Sequence, residues 1–453
     1  MGSSFDLGSL LSAIGSSSGI NVSAAVAQAL AAESGPLTQW QQQQAALQSQ
    51  TGDINVIEGH IATLQDALNS LNDPSGGLMA MTAASSNSAV VTAAAAPGAA
   101  PANHVVVVNS LATTGSWYSD SVATGDTTLS PGGFTFQVGQ NDPIQVTIGD
   151  GVDTLNQVAS YINGLNAGVT ANVVTDATGS RLAIMSNSSG AANDVAISDA
   201  TGLNFTRAAL GGDASLTVDG IPVDSASNTV TGVVPGVTFN LITAAPDSPV
   251  NISTTQDVTQ ASQAVKDFVS AYNAVIQDVN QEFALGQNGA QGPLAGDTTV
   301  RMLQDTLLSS ANFPGAGDIS SLASLGVSMN DDGTLTVDDG TLSNAIQSDF
   351  SGVRTFFQGT ASDGYAATLN NQLKTMTDAV TGAFTVDLQS MNNEISDLQD
   401  HINDFQTYLQ SEQARLTDEF NKAAEALQQL PILEQQINAE LGGLTNNNNN
   451  NNG

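Results

Sequence analysis

Two heptad patterns of apolar residues, one near each end of the sequence, constrain the fold more than any other feature. In both patterns apolar side chains recur three or four positions apart, which places them on one stripe of a long helix. The expected core positions are Leu47, Ile54, Ile61, Leu64 and Leu68 in the first helix, and Leu388, Met391, Ile395, Leu398, Ile402, Phe405 and Leu409 in the second. Because each stripe can cover the other, the two ends are predicted to pair as a coiled coil or helical bundle.

Turn and breaker residues predict where these helices end. Asn72-Asp73-Pro74 is expected to stop the first helix, and Pro431 is expected to interrupt the second. Gly35-Pro36 is expected to break the N-terminal helical region and is the candidate hinge.

The middle of the chain predicts strands instead of helices. Residues 80–260 are rich in Val, Thr, Ala, Gly, Ser and Asp and contain short alternating runs. A two-residue Asp219-Gly220 turn predicts a hairpin that pairs Val218 with Ile221 and Leu216 with Val223. A second hairpin, at 327–337, is predicted to pair Met329 with Leu335 and Val327 with Val337. One short amphipathic helix is expected at 153–165, among the strands.

The expected fold class is therefore α+β and multidomain, with the terminal helices paired and β-rich head domains inserted between them. The predicted divisions are a flexible N-terminal helical segment (1–40), a helical leg (41–78 plus 257–410), a first head (79–125 plus 213–256), a second head with one short helix (126–212), and a C-terminal helical segment with a disordered Asn tail (411–453).

Charge excludes whole classes of partner. Eight Lys and Arg face 43 Asp and Glu, for a net charge of -35, and no basic residue precedes Arg181. A chain that holds nucleic acid must neutralise phosphates with Lys and Arg, so nucleic-acid binding is excluded. The same deficit argues against anionic membrane surfaces, and the sequence has no apolar run long enough for membrane insertion.

The absence of cysteine and the composition of the first residues bear on how the protein is exported. The chain has no cysteine, so disulfides and thiolate metal sites are absent. The first residues show neither a basic segment nor a continuous apolar run, so export without a Sec signal peptide is expected.

Motifs that carry chemistry are weak, and the chain is not expected to be an enzyme or to hold a cofactor or metal. Gly15-Ser16-Ser17-Ser18-Gly19 has the spacing of a nucleophile elbow but lacks a preceding strand. Asp331-Asp332-Gly333 and Asp338-Asp339-Gly340 lack the spacing of a calcium loop and are explained as turns. His60, His104 and His401 are too scattered for a metal site.

Apolar residues in the terminal segments predict assembly with other subunits. Such residues near the ends of an acidic protein have no evident partner within the chain. The candidate contact residues are Leu7, Leu10, Leu11, Ile14, Leu416, Phe420 and Leu427.

Several strings, in order, resemble one family. They are Ala31-Ala32-Glu33-Ser34-Gly35-Pro36-Leu37 followed by Gln41–Gln44, then Ala84–Ala93, Phe268-Val269-Ser270-Ala271-Tyr272-Asn273, Pro293-Leu294-Ala295-Gly296-Asp297, and Leu325-Gly326-Val327 with Asp332–Asp338. In order and spacing the chain resembles the flagellar filament-capping family, hook-associated protein 2 (FliD), over nearly its whole length. The Pro431 break and the Asn tail depart from that pattern.

The resemblance implies a structural cap, secreted to the distal tip of the bacterial flagellar filament, that helps exported flagellin insert and fold and retains it there. It implies a ring-like homo-oligomer, contacts with flagellin and hook–filament junction proteins, and an export chaperone before secretion. Binding of host or surface glycans is a further expectation. The alternatives are a secreted surface adhesin and another axial protein of the flagellum, such as a hook–filament junction protein.

Overall fold

A computed structural model describes residues 21–285, 291–315, 318–361 and 363–447. The helices are α1 (Val22–Glu33), α2 (Gly35–Asn72), α3 (Leu155–Gly164), α4 (Val258–Phe283), α5 (Thr298–Ser310), α6 (Asp339–Ser348), α7 (Phe350–Gln358), α8 (Tyr365–Thr377) and α9 (Ala383–Asn447). The two longest of these stand on either side of a β-rich stretch, which confirms the predicted α+β architecture.

The strands lie almost entirely between α2 and α4. They are β1 (Met81–Ser85), β2 (Val91–Ala95), β3 (Ala102–Ser110), β4 (Ser116–Ser119), β5 (Gly132–Val138), β6 (Ile144–Ile148), β7 (Val169–Asp176), β8 (Gly179–Ser186), β9 (Val195–Thr201), β10 (Phe205–Ala209), β11 (Ala214–Val218), β12 (Ile221–Ser225), β13 (Thr229–Val234), β14 (Val237–Leu241), β15 (Val250–Gln256), β16 (Val327–Met329) and β17 (Leu335–Val337). Their pairings are antiparallel.

Four sheets enclose two separate hydrophobic clusters. The first cluster lies between a five-stranded sheet, in the order β1-β15-β3-β11-β12, and a three-stranded sheet, β13-β14-β2. The second lies between a four-stranded sheet, β10-β4-β8-β7, and a three-stranded sheet, β6-β5-β9, with α3 packed beside them. Phe239 is fully buried in the first cluster, and Phe134 and Phe136 are buried in the second.

Both predicted hairpins are confirmed in register. Val218 pairs with Ile221 and Leu216 with Val223, and Val327 pairs with Val337 and Met329 with Leu335. At the first turn Asp219 and Gly220 both have positive φ, +54° and +80°, as a tight turn between twisted strands requires. The Asp219 carboxylate also accepts from the backbone N–H of Val105 at 2.8 Å and contacts His104 Nδ1 at 2.7 Å, which lowers the pKa of that carboxyl.

The helix expected at 153–165 is α3, and its start follows from local chemistry. The Thr154 hydroxyl accepts from the Gln157 N–H, and the Gln157 side chain accepts in return from the backbone N–H of Thr154. This reciprocal capping box satisfies backbone donors that the first helical turn leaves free.

Three expectations are corrected by the structure. The boundary expected between residues 125 and 126 is wrong, because β4 pairs with β8 and β10 and Val122 bridges to Ser180, all in the second cluster's sheet. The interruption expected at Pro431 is also wrong, because α9 continues through that residue to Asn447. The helical part of the Asn tail, Asn446 and Asn447, therefore differs from the expected disorder.

The chain divides into two compact units. One comprises Met1–Thr63, Ala274–Leu308 and Asn371–Gly453, and the other comprises Leu64–Asn273 and Ser309–Asn370. The second unit includes an aromatic cluster in which the Tyr365 ring contacts Phe268, Phe313, Phe356 and Phe357. Burial raises the pKa of Tyr365, whose hydroxyl lies 3.3 Å from that of Ser310.

Candidate assembly surface

Aromatic side chains join α2 to α9 near the start of α2. The Trp40 ring stacks on His401, with centroids 5.8 Å apart, and meets the Phe405 ring edge-on at 5.4 Å. Phe405 in turn contacts Tyr408 at 5.6 Å. Edge-on and offset ring pairs stabilise beyond the area that they bury, so this group fixes one point of the α2–α9 contact.

The Gln44 side chain fixes a second point. Its amide donates to Gln399 Oε1 at 2.9 Å and lies 3.4 Å from the Ile395 carbonyl. Gln44 follows Trp40 on α2, whereas its partners on α9 precede the partners of Trp40. The two helices therefore run antiparallel.

The expected coiled-coil residues differ in burial. Ile54, Ile61, Leu64, Leu68, Leu398 and Ile402 are buried, whereas Leu47, Leu388, Met391, Ile395, Phe405 and Leu409 are half-buried. Leu64 and Leu68 belong to the other compact unit, and their pairing with the C-terminal helix stays a prediction.

The α1 helix packs on α9 further along the same pair. Val26 and Ala29 are its buried residues, and Asn21 caps it by accepting from the Ala24 N–H at 3.1 Å. On α9, Leu416 and Phe420 are half-buried and Leu427 is 45% exposed.

Beyond Phe420 the side chains of α9 are almost all exposed, including large apolar ones. Leu427, Leu430, Leu433 and Ile437 are each 45% to 56% exposed and recur three or four positions apart. We call these four residues the terminal stripe. The sequence prediction missed its last two members, Leu433 and Ile437, because it ended the helix at Pro431, although their spacing continues the heptad pattern.

The candidate hinge coincides with a one-residue break between helices. α1 ends at Glu33 and α2 begins at Gly35, with the Ser34 N–H donating to the Leu30 carbonyl at 2.9 Å. Pro36 has no N–H to continue the helical ladder, and nothing lies within 4 Å of a Cβ added at Gly35. Whether this break acts as a hinge stays a prediction.

A buried carboxylate, which the sequence prediction missed, lies in the same unit as this helix pair. Glu282 is 7% exposed and accepts from the Leu294 N–H at 2.8 Å. Burial raises its pKa, and the charges of Asp53 and Asp278 add to the rise. Asp278 also contacts His60 Nδ1 at 2.5 Å.

Other predictions fall outside the described residues. Leu7, Leu10, Leu11 and Ile14 lie there, as does the Gly15–Gly19 string. Within the described ranges no group of three or more acidic or histidine side chains could hold a metal ion. No helix in that part of the chain has the length and hydropathy needed to cross a bilayer.

Sequence comparisons give a consistent result along the chain. Models of the N terminus and the C terminus of flagellar hook-associated protein 2 match residues 18–115 and 211–431, and a flagellin hook IN motif matches residues 133–188. The chain is 29% identical to the B-type flagellar hook-associated protein 2 of Pseudomonas aeruginosa, over 86% of this chain and 89% of that one. It is 25% identical to the flagellar hook-associated protein 2 of Escherichia coli, over 96% and 97% of the two chains.

A solved structure shows the same fold. The D1-D2-D3 domains of the flagellar cap protein FliD from Escherichia coli superpose with a TM-score of 0.62 at 25% identity. The superposition covers 75% of this chain and 99% of that one.

Proposed function

The chain belongs to the flagellar hook-associated protein 2 family, and we propose that it performs the family's role through its terminal helices, with the terminal stripe as a contact to the filament. That role is structural: the protein caps the tip of the flagellar filament. The alternatives, an adhesin and another axial protein, are not favoured by these comparisons.

The single observation that supports this proposal is the exposure of the terminal stripe. Leu430, Leu433 and Ile437 are each at least 50% exposed on a helix whose earlier turns contact α1 and α2. Exposed apolar residues in regular helical spacing fit a helical groove or helix face of another subunit. Leu416 and Phe420 lead into this surface from the covered part of α9, and Leu427 begins it. We propose the same contact for Leu7, Leu10, Leu11 and Ile14.

The partners of the chain are also part of this proposal. We propose that copies of the chain form a closed ring on the filament, contacting flagellin and the hook–filament junction proteins. Several weak contacts at the termini suit a cap that must move as subunits insert, because together they add avidity while each can release. An export chaperone before secretion, and glycans bound by the heads, are further proposals.

The experiment introduces charge into the stripe. A Leu430→Glu, Ile437→Glu double variant should fold normally, because both side chains are exposed, and should fail to retain flagellin. Val386→Glu is the matched control, since Val386 is also exposed on α9 but far from the stripe. Each variant replaces the native gene in a deletion strain, and flagellin is measured in attached filaments and as monomer in the medium.

We expect the deletion strain and the double variant both to release monomeric flagellin with few filaments, and Val386→Glu to restore long filaments. Long filaments with the double variant would show that the stripe does not contact the filament. Long filaments in the deletion strain itself would overturn the capping role.

A further inference from the structure

A short segment between α4 and α5 bridges several helices of one compact unit. It comprises residues 292–299 and contains the string 293–297, which the family resemblance singles out and the terminal stripe does not explain. We call this segment the helix junction. Its contacts with α2, α4, α5 and α9 lie within that unit, so the helix junction stands where four of its helices meet.

Hydrogen bonds fasten the helix junction to the end of α4. The Gly292 N–H donates to the Glu282 carbonyl at 3.0 Å, and the buried Leu294 donates its N–H to the Glu282 carboxylate at 2.8 Å. A Cβ added at Gly292 would lie 2.4 Å from Glu282 Oε2 and 2.7 Å from its Cα, closer than a side-chain carbon can approach. The position therefore requires glycine, and the backbone of the helix junction lies directly against α4.

The same segment is fixed to the start of α5. The Asp297 carboxylate accepts from the backbone N–H of Thr299 at 2.7 Å and from that of the next residue at 3.0 Å, which caps the first turn. The Arg301 guanidinium donates to the Ala295 carbonyl at 3.0 Å and lies 4.9 Å from the ring centroid of Phe283, the last residue of α4. The helix junction is therefore held from both of the helices that it connects.

The two long helices each make a hydrogen bond to this fixed segment. On α2, the Gln50 amide donates to the Pro293 carbonyl at 2.8 Å. On α9, the Asp387 carboxylate accepts from the Thr299 hydroxyl at 2.5 Å. Thr299 is 6% exposed, so water has little access to replace its hydroxyl in this bond. The helix junction thus links a defined turn of α2 to a defined turn of α9.

Apolar stripes alone leave the axial position of a helix pair loosely defined. A heptad pattern repeats every seven residues, so a shift of one heptad, about 10 Å along the axis, brings similar side chains together again. Polar contacts at fixed points penalise such a shift, because the shifted donors and acceptors lose their partners. The Gln44–Gln399 contact is one fixed point of the α2–α9 pair, and the helix junction supplies another, nearer the start of α9.

We propose that the helix junction sets the position of α9 along α2, with Thr299 and Gln50 as its positioning residues. The same continuous helix carries the terminal stripe, so the position of α9 also decides how far the stripe extends beyond the last covered turn. This inference rests on the proposed contact between the stripe and the filament, and it adds the residues that place the stripe.

The chain's lack of cysteine makes the position of α9 measurable, since two introduced thiols are the only ones. Val56→Cys on α2 and Gln406→Cys on α9, both at exposed positions, carry nitroxide spin labels on the purified full chain. Double electron–electron resonance then measures the distribution of distances between the two labels.

Three substitutions of threonine are compared in this labelled chain. Thr299→Val removes the buried hydroxyl and keeps the shape of the side chain, whereas Thr299→Ser keeps the hydroxyl. Thr407→Val is the matched control, because the Thr407 hydroxyl is exposed and donates to the Asn403 carbonyl of α9 itself.

We expect one narrow distance distribution for the native sequence, Thr299→Ser and Thr407→Val, and for Thr299→Val a distribution that extends by about 10 Å, the length of one heptad. Gln50→Ala should act in the same direction from the α2 side, and it tests the inference if Thr299→Val does not fold. Asp387→Ala combined with Thr299→Val should broaden the distribution no further than either change alone, since both remove the same bond. Unchanged distances in folded Thr299→Val and Gln50→Ala variants, or equal broadening by Thr299→Ser, would overturn the inference.

Flagellin retention connects this position to the cap. Each variant replaces the native gene in the deletion strain, and Thr299→Val should leave more flagellin as monomer in the medium than Thr299→Ser or Thr407→Val. Equal retention by the three would overturn the link between the position of α9 and capping. The distances are measured without filament, so failure of the proposed capping role would not change them, and the two failures are distinguishable.

Discussion

At the scale of single residues, Glu282 shows how an ionisable group can lie inside a helical unit. Its carboxylate accepts from the Leu294 N–H, yet it is almost wholly shielded from water and lies near two further acids. Burial favours the protonated form, so the ionised form destabilises the fold at neutral pH. The hydrogen bond from Leu294 therefore stabilises the loop, while the buried charge lowers the stability of the fold by an amount that depends on pH.

Glu282→Gln should raise the unfolding temperature by a few degrees at pH 7. The amide oxygen of Gln can still accept from Leu294, while the buried charge is removed. Because the folded-state pKa lies above the ordinary value of 4.5, the native carboxylate takes up a proton first as pH falls, and the advantage of the variant should shrink toward pH 5. Thermal unfolding at both pH values checks this. Glu394→Gln, on the exposed side of α9, is the control, and a lower unfolding temperature for Glu282→Gln at pH 7 would contradict the argument.

Residues whose roles are local could be predicted from the sequence, and Glu282 could not. Asp219-Gly220 predicts its turn because the two residues themselves supply the positive φ that the turn requires. The environment of Glu282 depends on Leu294 folding back against it and on Asp53 of another helix. No local sequence pattern predicts contacts between residues so far apart in the chain.

At the scale of elements, the break at Ser34 can be tested with glycines of one helix. Gly35→Ala and Gly59→Ala each add a methyl group to α2 with nothing within 4 Å of it. Each should stabilise the helix by up to about 1 kcal/mol, because alanine loses less backbone freedom than glycine. If the break at Gly35 is a hinge, only Gly35→Ala should slow filament growth.

Filament elongation in strains carrying each variant is the measurement, with ring formation of the purified proteins measured alongside. Equal growth of the two strains would argue against a hinge at Gly35. Equal slowing would show that rigidity anywhere along α2 matters.

Trp40 should be the side chain that most stabilises the α2–α9 contact at this end. Trp40→Ala removes the stack on His401 and the edge contact with Phe405 and should lower the free energy of unfolding by about 2 kcal/mol. Tyr408→Ala, which removes a half-exposed ring whose ring contact is with Phe405, should cost less than about 1 kcal/mol. Urea denaturation measures the free energy of unfolding of both variants. Equal decreases would show that Trp40 does not stabilise the α2–α9 contact more than Tyr408 does.

The α9 helix also shows why one breaker was misread. Proline removes one backbone hydrogen bond and crowds the preceding turn, which ordinarily ends a helix. Pro431 is exposed, so water can bond the carbonyl that loses its partner, and Glu, Gln, Leu and Ala on both sides favour helix. The domain boundary between residues 125 and 126 was mispredicted because the sequence of a four-residue strand such as β4 does not indicate which sheet the strand joins.

At the scale of the whole molecule, net charge should govern self-association. Subunits with a charge of -35 repel over about a Debye length, which shortens from about 30 Å at 0.01 M salt to about 8 Å at 0.15 M. Adding NaCl across that range should therefore strengthen oligomers, as measured by sedimentation velocity. Weaker association in salt would show that contacts between opposite charges dominate.

The overall architecture was predictable because it follows from periodicity summed over many residues. Two heptad stripes and an alternating middle fix helices at the ends and sheets between them. Which residues of the two stripes belong together was not predictable, since Leu64 and Leu68 continue the pattern of the first helix and yet belong to the other compact unit. A stripe records that a side chain is covered, and it does not record what covers it.

The antiparallel meeting of α2 and α9 has a consequence in time. Gln44 and Ile395 touch although 351 positions separate them in the chain. Nearly the whole polypeptide must have arrived before that contact can close, whichever end arrives first. A copy that is cut or incompletely exported before α9 cannot form this contact. The α2–α9 pair therefore forms only when both ends of the polypeptide are present.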